Sequence, residues 1–287
     1  MSIEVKDLVH IYLKGSKFEK PALKGVNLTI EDGEFLGIMG QTGSGKSTLV
    51  QHFNGLLKPT TGTVTVNGLE VTGKNLKELR RQVGVVFQYP EYQLFEETVY
   101  KDIAFGLRKL GYDSETADNK IKKAIQAVGL PESILDKSPF ELSGGQKRRV
   151  AIAGVLVMEP QVLVLDEPAA GLDPSGRDEI LGRMKELHEN LGITVILVSH
   201  RMEDIARYTK RAIVMADGEI ALDGKVRDVF ARTEKLEALG LSLPQVSVLG
   251  RRLEAAFPGF NGKFLTVEEA KDEILRYLKN EPGVKAT

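Results

Sequence analysis

The chain has 287 residues, 42% of them hydrophobic, with 39 Lys and Arg against 40 Asp and Glu and with neither Cys nor Trp. This length allows one large domain or two smaller ones, and the formal net charge of −1 argues against nucleic acid as a partner, because phosphate-backbone binding needs a clustered excess of basic residues. The lack of Cys excludes disulfides and thiolate catalysis, and the aliphatic runs are far shorter than the ~18 residues of a membrane-spanning helix.

The first part of the chain predicts strands and one helix around a Gly-rich turn. Apolar and polar residues alternate at Ile3–Val9 and Val26–Ile30, as in half-buried strands. The apolar run Phe35–Met39 predicts a strand that ends in the Gly-rich turn, and Lys46–Leu57 has helical character. The remaining elements of this part are two strands and a short charged helix: Val64–Val66, Val83–Phe87 and Glu78–Gln82.

The next part predicts a helical segment followed by a parallel sheet. Residues 98–156 contain no convincing strand and predict several helices, broken at Gly and Pro residues. Continuous apolar runs at Val162–Leu165 and Ile193–Val198 predict strands buried on both faces, joined by a helix over about Ser175–Asn190. A hairpin through Asp217-Gly218 is then predicted, with strands Ala212–Met215 and Glu219–Leu222.

The composition changes after residue 232. Pro244, Pro258 and Pro282 separate short amphipathic helices, predicted at Leu249–Ala256 and Val267–Lys279. We therefore expect an α/β domain over residues 1–232, with a helical subdomain at about 98–156, and a small helical appendix over residues 233–287.

A phosphate-binding pattern, GxxxxGK[ST], lies between the predicted strand Phe35–Met39 and the helix that follows it. Its residues are Gly40, Gln41, Thr42, Gly43, Ser44, Gly45, Lys46 and Ser47, and the adjacent Thr48 is counted with the same site. The glycines let backbone N–H groups approach phosphate oxygens at a helix N-terminus. Lys46 is expected to contact the β and γ phosphates, and the Ser47 hydroxyl to ligate Mg²⁺. A Gly-rich turn with a surface lysine is the alternative interpretation.

Two carboxylates, Asp166 and Glu167, follow the buried run Val162–Leu165. Open α/β sheets bind their ligands at this end of their strands. Asp166 is expected to hold the Mg²⁺ shell, and Glu167 to orient and polarise the water that attacks the γ-phosphate. The alternative is an exposed acidic loop before Pro168.

The pentapeptide Leu142–Gln146, LSGGQ, precedes a helix with three basic residues in its first turns. A Ser hydroxyl and two Gly N–H groups there make a second anion-binding helix N-terminus. As a local feature, an ordinary helix cap at Ser143 explains it equally well.

These motifs together resemble the ATP-binding cassette (ABC) superfamily, whose order is phosphate loop, glutamine loop, LSGGQ signature, paired carboxylates and switch histidine. Gln88 and His200 occupy the glutamine and histidine positions, and the resemblance covers about residues 1–230. It implies a P-loop NTPase (RecA-like) core of the α/β class, with an antiparallel β subdomain and a helical signature subdomain.

The resemblance also implies roles for individual residues in an ATP site shared by two subunits. In this superfamily two nucleotide-binding domains associate head to tail, so Ser143, Gly144, Gly145 and Gln146 are expected to contact ATP on the partner. Gln88 is expected to sense Mg²⁺ and the attacking water, and an amide can both donate and accept hydrogen bonds.

Three further positions follow from the same resemblance. His200 is expected to bond the γ-phosphate and to help hold Glu167 and the water in line. Asp173 matches the loop that couples the two sites, although alone it predicts a helix N-cap before Pro174. Tyr12 is expected to stack on adenine, with Phe18 as a nearby alternative.

The narrower resemblance is to energy-coupling factor ATPases, which power uptake of vitamins and of cobalt or nickel ions. It rests on the segments Val86–Phe95, which contains FQYPEYQLF, and Thr98–Gly106, which contains DIAFG. The signature helix and the appendix sequence LGLSLPQV support the same resemblance. In that family the C-terminal domain helps to hold two ATPase subunits together. The ATPase of a conventional importer, and a soluble cassette protein acting on ribosomes or DNA, are the alternatives.

The expected assembly follows from this narrower resemblance. The partners are a second ABC ATPase subunit, identical or not, an integral membrane coupling subunit and a substrate-binding membrane subunit. ATP and Mg²⁺ are the expected ligands. The segment Met1–His10 lacks the apolar run of a secretory signal, which favours the cytosol. With the membrane partners that the resemblance implies, the expected location is peripheral, on the cytoplasmic face of the cell membrane.

Overall fold

The computed structural model describes residues 3–280, which form two sheets with helices packed around them. The strands are β1 (Ile3–Tyr12), β2 (Lys20–Ile30), β3 (Phe35–Met39), β4 (Thr61–Val66), β5 (Leu69–Glu70), β6 (Val83–Val86), β7 (Val162–Asp166), β8 (Thr194–Val198), β9 (Arg211–Ala216) and β10 (Glu219–Lys225). The α-helices are α1 (Lys46–Phe53), α2 (Leu76–Gln82), α3 (Val99–Leu110), α4 (Ser114–Ala127), α5 (Gly144–Leu156), α6 (Pro174–Leu191), α7 (Met202–Tyr208), α8 (Val226–Ala231), α9 (Thr233–Ala238), α10 (Gln245–Ala256) and α11 (Val267–Asn280).

The larger sheet has the strand order β10-β9-β3-β8-β7-β6. Its strands β9, β3, β8, β7 and β6 are parallel, and β10 is an antiparallel edge strand. Every residue of β3, β7 and β8 is buried, which explains why these strands appear in the sequence as continuous apolar runs. Because Val198 pairs with Ile38 on one side and Asp166 on the other, the carboxyl ends of these three strands meet at one edge.

The smaller sheet is antiparallel, with the order β2-β1-β4-β5. Its apolar side chains, those of α1 and those on one face of the larger sheet form one core. The opposite face of the larger sheet packs against the helical segment and the later helices in a second core. The sequence prediction of an α/β core with an antiparallel β subdomain and a helical subdomain is thus confirmed.

Residues 98–156 are helical, as predicted, and contain α3, α4 and α5. The Thr98 hydroxyl accepts a hydrogen bond from the Lys101 N–H at the start of α3. That helix ends at Gly111, whose φ of 77° is in the left-handed region that glycine favours. The side chain of Asp113 then caps α4 by accepting from the Thr116 N–H.

The C-terminal segment builds a small core of its own. Phe260, Phe264 and Ala270 are buried there, with partly buried side chains from α10 and α11 around them. The Ser247 hydroxyl donates to the Phe264 carbonyl oxygen, and Arg227 of α8 pairs with Glu269 of α11. Residues 281–287, which include Pro282, lie outside the described residues, and the domain boundary at residue 232 stays a prediction.

The structure differs from the sequence prediction mainly at element ends and in short elements. The helix predicted over Lys46–Leu57 ends at Phe53, before Gly55 at a φ of 66°. The three short helices α7, α8 and α9 and the two-residue strand β5 were not predicted, because each is too short for a periodic pattern to define it. Within residues 3–280 no helix is both long and apolar enough to cross a membrane.

Candidate nucleotide site

The phosphate-binding pattern forms a tight loop between β3 and α1. Gly40 has a φ of 152°, and a Cβ there would lie 2.2 Å from the Met215 carbonyl oxygen. Gly45 has a φ of 103°, and a Cβ there would lie 2.8 Å from the carbonyl oxygen of Ala22. The loop lies so close to the neighbouring strands that only glycine fits at these two positions. The loop leads directly into the N-terminus of α1.

Lys46 is the first residue of α1, and its ammonium group lies inside the loop. The Nζ atom donates to the carbonyl oxygens of Gly40, at 2.8 Å, and Gln41, at 2.9 Å. Burial lowers the pKa of Lys46, while the carboxylates of Glu167 and Asp166 oppose this shift. The loop therefore places the positive charge of Lys46 at the N-terminus of α1.

Asp166 and Ser47 face one another across the strand end. Asp166 is buried at the last position of β7, and the Ser47 hydroxyl bonds to its carboxylate. Burial raises the pKa of Asp166, with a further raising effect from Glu167, while Ser47 and Lys46 lower it. These two side chains present oxygen atoms beside the phosphate loop.

Glu167 lies directly after β7 and contacts two of the other predicted site residues. Its Oε2 atom accepts a hydrogen bond of 2.9 Å from the Gln88 amide, and its Oε1 atom lies 3.2 Å from the His200 Nδ1. Its backbone has a φ of 52°, in the left-handed region, and its N–H bonds to the Val198 carbonyl oxygen at 3.0 Å. The sheet edge thus holds Glu167 in a strained conformation, aimed at the glutamine and the histidine.

Of the two aromatic residues predicted for adenine, Tyr12 lies at the phosphate-loop helix. Its hydroxyl is 3.2 Å from the Thr48 Oγ1 on α1. Phe18 is 80% exposed, in the turn after β1. The structure therefore brings Tyr12 and Thr48 together and leaves the Phe18 ring in solvent.

The LSGGQ segment forms a helix cap and leaves both of its glycines open. Ser143 caps α5, and its hydroxyl accepts from the Gln146 N–H while the Gln146 side chain accepts from the Ser143 N–H. At Gly144 and Gly145 a Cβ would meet nothing within 4 Å, and neither has a positive φ. The fold of this chain therefore does not require glycine at these two positions.

Asp173 caps α6 by accepting a hydrogen bond of 3.2 Å from the Gly176 N–H, with Pro174 as the first helical residue.

Across residues 3–280, the side chains of Ser143 and Gln146 are hydrogen-bonded to each other's backbone N–H and not to the phosphate loop. The structure thus assembles the phosphate loop, Gln88, both carboxylates and His200 at one sheet edge. It does not bring the signature to that cluster.

Comparison with known proteins identifies the family of the chain. The family model described as ABC transporter matches residues 23–170. Energy-coupling factor transporter ATP-binding proteins EcfA2 of Acetivibrio thermocellus and Bacillus subtilis are 60% and 51% identical to the chain. The alignments cover 97% and 92% of this chain and 99% and 98% of those proteins. The chain belongs to the ABC transporter family, in the energy-coupling factor group of ATP-binding proteins.

Solved ABC cassettes share the fold. The structure of cbiO1 from Clostridium perfringens, part of the ABC transporter complex cbiONQ, matches with a TM-score of 0.74 at 38% identity, over 89% of this chain and 95% of that one. The cassette MJ0796, solved as a dimer in a post-hydrolysis state with ADP and Pi, matches with a TM-score of 0.70 at 32% identity, over 78% and 98%. This ABC protein is accordingly an ATP-binding ATPase with the P-loop NTPase fold.

Sequence reasoning missed one buried ion pair in the cassette. Arg148, on the signature helix α5, is 3% exposed and bonds to Glu91 through two nitrogens, at 2.9 and 2.5 Å. It also donates to the Ala170 carbonyl oxygen at 2.5 Å, and its guanidinium lies over the Tyr89 ring at 5.8 Å. Arg148 therefore joins the signature helix to the segment after Gln88 and to the loop after Glu167. The only sequence signal was a basic residue after LSGGQ and an acidic one after Gln88.

Proposed function

We propose that this ABC protein hydrolyses ATP to drive uptake of a vitamin or a transition-metal ion through an associated membrane subunit. The observation that carries the proposal is the position of Glu167 between Gln88 and His200, at the edge that also holds the phosphate loop. Lys46 and the α1 N-terminus bind the triphosphate, and Glu167 accepts a hydrogen bond from the water that attacks the γ-phosphorus. His200 donates to the γ-phosphate, which carries the developing charge.

The oxygen atoms beside the loop fit Mg²⁺. Ser47 and Asp166 supply a hydroxyl and a carboxylate, and Gln88 an amide oxygen, which are the hard donors that this ion takes. Phosphate oxygens and water would complete the coordination of this ion. When bound, Mg²⁺ neutralises charge on the β and γ phosphates. The buried Ser44 hydroxyl, which has no partner among the described residues, can donate to a phosphate oxygen.

A second cassette subunit completes the site in this proposal. The packing of one subunit does not require glycine at Gly144 or Gly145, and both residues leave the N–H groups of α5 accessible to a phosphate. Ser143 and Gln146 flank these groups, and Asp173 starts the helix that follows the loop after Glu167. Two subunits arranged head to tail would place each signature against the other subunit's ATP.

An aromatic surface next to the glutamine loop is the proposed contact with the membrane subunit. Tyr92 and Phe95 are 84% and 60% exposed, and the Phe95 and Phe105 rings meet edge to face at 5.1 Å. This surface begins four residues after Gln88, whose amide is hydrogen-bonded to Glu167. A movement of the surface would therefore be transmitted to the catalytic carboxylate through a short stretch of chain. This contact would keep the ATPase on the cytoplasmic face of the membrane, as a peripheral subunit.

The appendix of residues 233–287 is the proposed additional contact between the two ATPase subunits. Its helices α10 and α11 leave apolar side chains in solvent: Val248, Leu249, Leu275 and Leu278. Exposed apolar side chains on neighbouring helices are the kind of surface that protein interfaces cover.

The test is to purify the tagged chain from membranes of the cells that express it. A small, very hydrophobic membrane protein should copurify, and the complex should hydrolyse ATP. The matched Lys46→Ala protein should assemble equally but bind ATP weakly in an equilibrium titration. Recovery on ribosomes, or with a conventional permease and a soluble binding protein, would contradict the proposal.

A further inference from the structure

Two buried histidines lie beside the nucleotide site and take no part in the hydrolysis proposed above. His52, on α1, is fully buried, and His10, on β1, is 8% exposed. The His52 Nε2 lies 3.2 Å from the His10 Nδ1, and the two rings meet edge to face at 4.8 Å. Two of the four histidines of the chain thus form one contact between β1 and the helix that carries Lys46.

Four side chains from these two elements pack two against two. His10 and Tyr12 are two residues apart on β1 and share one face of the strand. Thr48 and His52 are four residues apart and lie on one side of α1. His10 contacts His52, while the Tyr12 hydroxyl is 3.2 Å from Thr48. The His10 ring also packs edge to face on Tyr12 at 4.6 Å. We call His10, Tyr12, Thr48 and His52 the clamp.

The hydrogen bonds determine the tautomers of both histidines. His52 Nδ1 lies 2.7 Å from the Thr48 carbonyl oxygen, which can only accept, so Nδ1 carries the proton. Burial lowers the pKa of His52 to about 4, so at neutral pH its Nε2 is an acceptor. His10 Nδ1 faces two acceptors, this nitrogen and the Lys58 carbonyl oxygen at 3.1 Å, so Nδ1 carries the proton and its single N–H is shared between them.

We propose that His10 and His52 are positioning residues that set the affinity of the site for the adenine base. The helix α1 begins at Lys46 of the phosphate loop, so the clamp fixes the Tyr12 ring relative to the atoms that bind the triphosphate. One ATP molecule must contact both, and a ring that is already fixed loses less freedom on binding. The inference rests on the stacking role of Tyr12 in the proposed function.

Two substitutions at position 52 separate the two hydrogen bonds. In His52→Asn the shorter amide still donates to the Thr48 carbonyl oxygen but does not reach His10. In His52→Gln the longer side chain brings an acceptor oxygen to His10 and gives up the bond to Thr48. The experiment measures dissociation constants by calorimetry for AMP-PNP, a non-hydrolysable adenine nucleotide, and for tripolyphosphate, which has no base. Tripolyphosphate binding also shows that the phosphate loop of each variant is folded.

The expected result is a selective loss of nucleotide affinity. His52→Asn should raise the dissociation constant for AMP-PNP about three- to tenfold, which corresponds to the free energy of one aromatic contact. The dissociation constant for tripolyphosphate should stay within about twofold of the wild-type value. His52→Gln should retain the wild-type affinity for both ligands. Equal weakening of both ligands, unchanged AMP-PNP binding in His52→Asn, or equal losses in both variants would overturn the proposal.

Tyr12→Ala distinguishes a failure of this inference from a failure of the proposed function. It should weaken AMP-PNP at least as much as His52→Asn does and spare tripolyphosphate. If Tyr12→Ala binds AMP-PNP as tightly as the wild type, the stacking role is wrong and the inference falls with it. If Tyr12→Ala loses affinity and His52→Asn does not, only the role of the clamp is wrong.

Discussion

The Gln88 amide donates a hydrogen bond of 2.9 Å to the Glu167 carboxylate across 79 residues of sequence. This bond fixes one carboxylate oxygen and leaves the other to His200. Gln88→Ala should lower kcat about tenfold, because a hydrogen bond to a charged group contributes about 1.5 kcal/mol, while the affinity for ATP measured without Mg²⁺ stays unchanged. Steady-state ATPase assays check this, with Gln126→Ala, on the distant helix α4, as the control. A loss of ATP affinity without a change in kcat would contradict the role of Gln88.

Glu167→Gln should abolish steady-state ATP turnover, by at least about 100-fold, because an amide cannot accept the proton of the attacking water as a carboxylate does. The phosphate loop is intact in this variant, so ATP should still bind and hold two subunits together. Turnover is measured by phosphate release, and dimerisation by size-exclusion chromatography with ATP. Near-normal hydrolysis by the variant would show that Glu167 is not the catalytic carboxylate.

Gly145→Ala should stabilise the chain and impair its activity at the same time. A Cβ at Gly145 meets nothing within 4 Å, and Ala favours a helix over Gly by about 1 kcal/mol. The added methyl group faces the space assigned to the partner's ATP, so ATPase activity should fall. Gly154→Ala, in the same helix and equally open, should give the stability without the loss. Chemical denaturation and ATPase assays decide, and equal activity of the two variants would contradict the composite site.

The position of the phosphate loop and Glu167 at one sheet edge could be predicted from the sequence because the signals are local. The runs Phe35–Met39 and Val162–Leu165 are continuous and apolar, which defines buried parallel strands, and motif residues follow each run directly. Glu167 could therefore be placed at a strand end before its neighbours were known. Its bonds to Gln88 and His200 depend on strand order, which no local pattern specifies.

Contacts between distant side chains could not be predicted in the same way. Arg148 and Glu91 are 57 residues apart, and His10 and His52 are 42 apart. A histidine in an alternating strand is equally compatible with a surface position, and an arginine after LSGGQ with a solvated helix face. Only the packing of α1 on the smaller sheet, and of α5 on the segment after Gln88, buries these groups as pairs.

The adjacent residues Arg148 and Arg149 should differ sharply in what they contribute to stability. Arg148 is 3% exposed and bonds to Glu91 and the Ala170 carbonyl oxygen, whereas Arg149 pairs with Glu179, which is half-exposed. Arg148→Met leaves the Glu91 carboxylate, which is 15% exposed, without its partner and should lower the free energy of unfolding by about 3 kcal/mol. Arg149→Met should cost less than about 1 kcal/mol. Urea denaturation of both variants is the measurement, and equal losses would contradict the buried pair.

His52 should make the stability of the protein fall as the pH falls below about 6.5. Burial lowers the pKa of His52 in the folded chain from 6.5 to about 4, so between these values the unfolded state binds more protons. The stabilisation is complete above 6.5 and is lost as the pH approaches 4, with about 2 kcal/mol lost between pH 7.5 and pH 5. Since buried carboxylates such as Asp166 shift in the opposite sense, the informative quantity is the difference between the wild type and His52→Gln. Urea denaturation at both pH values should show that difference shrink at pH 5, and a constant difference would mean that His52 does not titrate as the buried geometry requires.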